Sequence, residues 1–268
     1  MLFAARMIRL GKPMTKITEP CQFLRWDSDF FGFRIARVYD RHLRATDLGT
    51  IFAWCDSKSI DCLYFLADSD DAGTIRLVEE LGFHLVEIRI TYEGRLKNWG
   101  PETRPKANER LIIRDVQPED IGTLQEIAKN SYKDSRWYFD PRFNEKICQA
   151  YFQTWIKNSA EGNADFVLIA ELEGELLGYI SGNRDRHKPT GTFELTAVKE
   201  VSRGLGIGHE LFASGLDWYL RERVDRIFVN TQARNIPTQR MIQRHGFISK
   251  SVQLYYHKWF AEQSLTNS

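Results

Sequence analysis

Two rhythms of apolar and polar residues divide this chain. Period-two alternation marks HLVEIRITYEGRL (84–96) and FISKSVQLYYHKWF (247–260) as long strands, and the compact apolar run CLYFLAD (62–68) as a short buried one. A helical rhythm runs through HLRATDLGTIFAWCDS (42–57) and DAGTIRLVEELGF (71–83), the second closed by Gly82. CQFLRWDSDFFGFRIARV (21–38) is expected to be strand on both sides of a turn at WDSD. Further on, LIIRDVQ (111–117) is a strand. PEDIGTLQEIAKNSY (118–132) is a helix with proline and acids in its first turn, and RFNEKICQAYFQTWIKNSA (142–160) is a second helix with Ile147, Tyr151, Phe152 and Trp155 on one side. A hairpin turning near Gly174, the strand GTFELTAV (191–198), a long helix, the strand RIFVNTQ (226–232), a helix from Asn235 to His245 and the final strand complete the order β-α-α-β-β-β-α-β-α-β.

Between these halves, RLKNWGPETRPKANE (95–109) is polar, holds two prolines and lacks an apolar period, as a linker does. The expected organisation is a disordered tail (1–20), a small α/β domain (21–95), a linker (96–109) and a larger mixed α/β domain (110–262). EELGFHLVEIRITYEG (79–94) and IQRHGFISKSVQLYYHK (242–258) both place Gly-Phe between a helix and a long strand. This echo is compatible with a common helix–strand arrangement, or with a first half that is a degenerate copy of part of the second.

Composition narrows the class. Among 268 residues, 43% hydrophobic and 27% charged residues describe a soluble globular protein. The balance of 37 basic against 36 acidic side chains argues against nucleic acid or a membrane surface as a partner. No apolar run nears the ~20 residues of a membrane helix, and Arg6 and Arg9 interrupt any secretory core near the start. Cys21, Cys55, Cys62 and Cys148 form no C-x-x-C pair, so no metal site is expected and reduced thiols in the cytoplasm are. A homodimer is compatible with all of this.

The richest chemistry lies in SRGLGIGHE (202–210). Gly204, Gly206 and Gly208 let the backbone turn sharply and approach a ligand, and the helix that follows offers exposed N–H groups to an anion. The spacing is neither the G-x-G-x-x-G of dinucleotide folds nor a phosphate loop with G-K-[ST]. A tight turn without a ligand is the plain alternative.

Residues 110 to 260 resemble the GCN5-related N-acetyltransferase (GNAT) superfamily. The resemblance is carried by the element order, by the strand FELTAV, by Arg203, Gly206 and Gly208 as an R-x-x-G-x-G signature before a long helix, and by Asn235 eleven residues before Gly246-Phe247. It implies a mixed central sheet flanked by helices, and acetyl-CoA as co-substrate. The pyrophosphate would lie on the loop formed by Arg203, Gly204, Leu205, Gly206, Ile207, Gly208 and His209. Pantetheine would pair with the backbone of Ala197 and Val198 where that strand splays from RIFVNTQ, with Asn235 as a further contact. Asn235 is also a plain helix cap and Arg203 a plain surface cation. Over the whole chain, WDSDFFGFRIARV, AYFQTWIKN and VNTQARN are similar to the TDP-fucosamine N-acetyltransferases, which acetylate the C4 amine of dTDP-4-amino-4,6-dideoxygalactose. The same aromatic residues also serve as core.

Direct attack by an amine needs a base, because an ammonium near pKa ~10 is only about one part in a thousand neutral at pH 7. Glu194, on the strand leading to the coenzyme loop, is the candidate acceptor of that proton; an exposed strand glutamate is the alternative. The family's tyrosine, which protonates the departing thiolate, is replaced by Ile242, and Tyr255 is the substitute acid we consider. Three functions follow: acetylation of a nucleotide-linked amino sugar; acetylation of another amine such as a peptide, polyamine or small metabolite; and acyl-CoA binding by a non-catalytic regulator.

Overall fold

The structure is a computed structural model that describes residues 19–100, 104 and 110–260. The expected tail up to residue 18, residues 101–103 and 105–109 of the expected linker, and the last two residues assigned to the larger domain lie outside it. The first half contains β1 (Cys21–Phe23), α1 (Arg25–Phe31), β2 (Ile35–Val38), α2 (Ala45–Ser57), β3 (Cys62–Asp68), α3 (Ala72–Glu80) and β4 (His84–Arg95). After it come β5 (Leu111–Asp115), α4 (Ile121–Lys129), α5 (Glu145–Asn158), β6 (Phe166–Leu172), β7 (Glu175–Arg184) and β8 (Thr190–Val198). The chain then forms α6 (Ile207–Arg221), β9 (Arg226–Gln232), α7 (Ile236–Arg244) and β10 (Ile248–Trp259).

WDSD departs from expectation: it is helix α1, not a turn between strands. Trp26 and Phe30, one helical turn apart, both lie against Tyr151 of α5, so tertiary packing selects the helix. Ser28 Oγ accepts from Ile35 N–H at 2.9 Å and donates to Leu24 O at 2.7 Å, and Gly32 ends the helix at φ +75°.

The ten strands among the described residues form one mixed sheet in the order β1-β2-β3-β10-β4-β9-β8-β7-β6-β5. Only β2–β3 and β8–β9 are parallel. The two halves therefore share the sheet. The final strand β10 lies between β3 and β4, and β4 lies between β10 and β9. In both β3-α3-β4 and β9-α7-β10 a strand from the other unit occupies the space between the two strands, which extends the Gly-Phe echo to the topology. Phe247 of the second unit packs on Gly94 of β4, where a Cβ would come within 2.4 Å of the ring.

Helices cover both faces. Helices α4 and α5, with α1, bury one face through Leu124, Cys148, Tyr151, Phe152 and Ile156. On the other face α6 packs over the second half through Leu211, Phe212, Leu216 and Tyr219, while α2 and α3 pack over the first through Ile51, Cys55 and Val78.

Candidate active site

A bulge in β8 organises the site. Ile180 of β7 faces Thr196 and Gly182 faces Phe193, so Glu194 and Leu195 together oppose Ser181 alone. Ser181 Oγ fills the irregularity, accepting from Leu195 N–H at 3.2 Å. The extra residue shifts the alternation by one: Phe193 belongs to the core under α6, whereas Leu195 and Ala197 belong to the core under α5.

Just there, β8 and β9 part. Their parallel pairing runs from Thr190↔Arg226 to Phe193↔Val229 and goes no further, although both strands continue. On the other side β8 stays paired, with Tyr179 opposite Ala197 and Gly178 opposite Val198. Lys199 N–H donates to Leu177 O at 2.8 Å. Antiparallel pairs alternate, so Ala197 exchanges hydrogen bonds with Tyr179, while the N–H and C=O of Thr196 and Val198 point toward the opening beside β9. Of the two expected backbone contacts, Val198 presents its polar groups to the opening and Ala197 does not.

The glycine loop closes the end of the opening. Arg203 is extended (φ −68°, ψ 150°) and exposed, and Gly204 and Gly206 adopt φ +83° and +81°, a region that costs other residues about 1–2 kcal/mol. No atom lies within 4 Å of where a Cβ would stand on either glycine, so the loop's backbone is open to an incoming group. Gly206 starts α6, no side chain caps that end, and both His209 N–H and Glu210 N–H turn back to Gly206 O. The N–H groups of Ile207 and Gly208 are left without intrahelical acceptors. Gly208 also gives Met241 Sδ room, at 3.3 Å from a notional Cβ. The Ile207 side chain is a core anchor, and Leu205 is 59% exposed. His209 Nδ1 lies 3.2 Å from His245 Nε2, and burial lowers the pKa of both imidazoles, that of His245 to about 4. Beside the loop, Lys199, Glu200 and Arg203 face Thr123, Glu126 and Asn130 across a cleft of about 390 Å³.

Glu194 stands at the fork of β8 and β9. Asn183 Nδ2 donates to its Oε1 at 2.7 Å. Burial raises its pKa, against the hydrogen bonds from Asn183 and Trp155. It is therefore not the exposed strand glutamate of the plain alternative.

The structure does not bring Tyr255 to this point. Tyr255 is on β10, with β4 and β9 between it and β8, or roughly 14 Å across the sheet at ~4.8 Å per strand. It packs against Tyr64 and under the Arg136 guanidinium, and burial raises its pKa. Asn235 caps α7 by accepting from Thr238 N–H at 3.3 Å. Ile242 is fully buried on the core-facing side of α7. Asn183, Thr196 and Asn230 escape sequence reasoning, because each is an ordinary polar strand residue until the bulge and the fork are known.

Residues 128–247 match the acetyltransferase (GNAT) family. This segment belongs to the GNAT family. The spore coat polysaccharide biosynthesis protein SpsD of Bacillus subtilis is 29% identical over 144 residues, 53% of this chain and 49% of that protein. The match thus spans about half the length of this relative. A GCN5-related N-acetyltransferase from Sphaerobacter thermophilus superposes with a TM-score of 0.63 at 18% identity, covering 89% of this chain and 76% of that one. A tandem GNAT protein from the clavulanic acid biosynthesis pathway does so with a TM-score of 0.61 at 15% identity, covering 86% and 76%. Both share the fold, helix-flanked mixed sheet included. Among the described residues no helix is long and apolar enough to cross a membrane, and no cluster of three or more His, Cys, Asp or Glu is placed to hold a metal.

Proposed function

We propose that the chain is an acyl-CoA-dependent N-acyltransferase that moves acetyl from acetyl-CoA to the primary amine of a nucleotide-linked amino sugar. The observation that carries the reading is the fork itself: β8 and β9 separate after Phe193↔Val229, the open glycine loop lies at one end and half-buried Glu194 at the other. The pyrophosphate meets N–H groups of Gly206, Ile207 and Gly208 at the positive end of α6. Pantetheine, an amide chain, pairs with the outward groups of Val198 as an added strand does.

The acceptor enters from the α5 face, where Glu194 points. Glu194 takes a proton from the ammonium, and the amine nitrogen forms a bond to the acetyl carbon. The C–S bond breaks and coenzyme A leaves as thiolate, while the nitrogen gives its second proton to that thiolate or to water and becomes the amide. With Ile242 supplying no proton, that departure relies on the thiol's own acidity, near pKa ~8.5. The SpsD relationship supports a sugar acceptor, and four buried free cysteines fit a reducing cytoplasm. A raised carboxyl at the fork favours an enzyme over a regulator, which needs no base.

Calorimetric titration with acetyl-CoA, followed by a turnover screen of amino-sugar nucleotides, polyamines and peptides, tests this. Gly206→Val is expected to abolish acetyl-CoA binding while the protein still folds. Unchanged affinity removes the pyrophosphate assignment. Turnover of polyamines or peptides alone removes the sugar.

A further inference from the structure

Two half-buried arginines on the α5 face each keep a buried Nε that no described residue satisfies. Arg89, on β4, is flanked in the sheet by Gln253 of β10 and Gln232 of β9. Arg136 comes from the segment between α4 and α5, and its backbone N–H donates to Glu87 Oε2 at 3.0 Å. The Arg136 guanidinium lies 3.8 Å from the Trp137 ring centre and 4.5 Å from that of Tyr255, stacking that fixes its plane and leaves its edge for hydrogen bonds. The buried Nε of each arginine has no hydrogen-bond partner among the described residues. Each guanidinium also acts electrostatically on the other, and Arg41 adds to the positive field at Arg89.

Nearby carboxylates do not resolve this. Asp27 Oδ1 accepts from Tyr151 Oη at 3.3 Å, its Oδ2 has no partner, and burial raises its pKa. Glu87 is engaged by the Arg136 backbone and by Gln232 Nε2 at 3.4 Å. Glu87 acts electrostatically on both guanidiniums and Asp27 on Arg136, yet each Nε stays unpaired, and holding two half-buried cations together is expensive. A group with several oxygens and two negative charges matches two forks. A diphosphate has that chemistry, and a single carboxylate does not.

The cluster is also placed to serve the fork. Glu194 follows Phe193↔Val229 and so is level with Asn230, which pairs with Thr91; Arg89 lies two residues further along β4. At ~4.8 Å per strand and ~3.3 Å per residue, with β8 and β9 already parting, the Cα atoms of Glu194 and Arg89 are at least about 12 Å apart. A hexose, with the two side chains reaching toward it, fills such a span.

We propose that Arg89 and Arg136 form the subsite that holds the acceptor's diphosphate on the α5 face, setting the sugar amine at Glu194. The assignment rests on the amino-sugar reading above, but its test needs no turnover. The protein is first saturated with coenzyme A, which occupies the glycine loop, and then titrated with thymidine diphosphate and with inorganic pyrophosphate. Both are expected to bind. Arg89→Met and Arg136→Met are each expected to weaken binding at least tenfold, with coenzyme A affinity unchanged. If a methionine variant does not fold, Arg89→Lys and Arg136→Lys decide, since they keep the charge and lose the fork: weakening of threefold or more supports the site, and unchanged binding overturns it. Absence of binding to the coenzyme-loaded wild type overturns it too, as does displacement of thymidine diphosphate by an equal concentration of acetate. Failure of acetyl-CoA to bind in the separate titration would instead count against the acetyltransferase reading.

Discussion

Asn183 donates a 2.7 Å hydrogen bond to Glu194 across the bulge that separates β8 from β9. This bond stabilises the carboxylate while burial opposes it, so Asn183 sets how far the pKa of Glu194 rises. A base works deprotonated, and the rate should fall as pH drops through that raised pKa. Asn183→Ala removes a lowering influence and should move the acid limb of kcat/KM to higher pH. Glu194→Gln should cost about 10²–10⁴ in kcat with acetyl-CoA affinity preserved. An acid limb that stays in place in Asn183→Ala would separate Glu194 from the rate.

Gly178 faces Val198 in a close pair of β7 and β8. A Cβ at Gly178 would come within 2.6 Å of Ala197 O and 3.2 Å of Val198 Cα, both backbone atoms that cannot swing away. Gly178→Ala should push β8 toward the opening and weaken acetyl-CoA at least tenfold, with a loss of stability of about 1–3 kcal/mol. Calorimetry and urea unfolding measure the two effects.

Removing the first half should destroy the second. Without β4, both β9 and β10 lose their shared neighbour, and Phe247 loses the surface of Gly94. Residues 110–268 expressed alone should be insoluble or bind no acetyl-CoA. A soluble fragment with intact affinity would show that the shared sheet is dispensable.

Two imidazoles should make stability pH-dependent. Burial lowers the pKa of His257 and of His245 to about 4 each; His257 Nδ1–H donates to Asp140 at 2.7 Å. Both are neutral in the folded state near neutral pH. Between the ordinary histidine value of 6.5 and about 4, the unfolded chain binds more protons, so their contribution is complete above 6.5 and lost as pH falls through that window. The slope is up to about 1.4 kcal/mol per pH unit for each group. Urea midpoints at pH 7.5 and pH 5 should differ accordingly, and a flat profile would refute the shifts.

Much of the fold was legible because period and caps are local. Asp71 accepts from Thr74 N–H at 3.0 Å and Gly82 takes φ +72°, as the sequence around α3 suggests. The turn of the glycine loop was legible for the same reason, since positive φ at Gly204 and Gly206 is written in residue type. The α1 helix was not, because aromatic contacts with Tyr151, 120 residues or more away, outweigh the turn preference of WDSD. Nor were Arg89 and Arg136. Arg89, a charged residue at an alternating strand position, reads as solvent-facing, and Arg136 lies in a polar connection between two helices; only the packing on the α5 face shows otherwise.

The interleaving of β4 and β10 has a consequence for biosynthesis. During translation β3, α3 and β4 emerge early, yet β4 has neither of its sheet neighbours until residues 226–259 have been made. Through most of synthesis the nascent chain therefore carries a twelve-residue strand with both edges bare. The charges within it, Glu87, Arg89, Glu93 and Arg95, are of the kind that discourage pairing with other chains, a use that precedes any ligand.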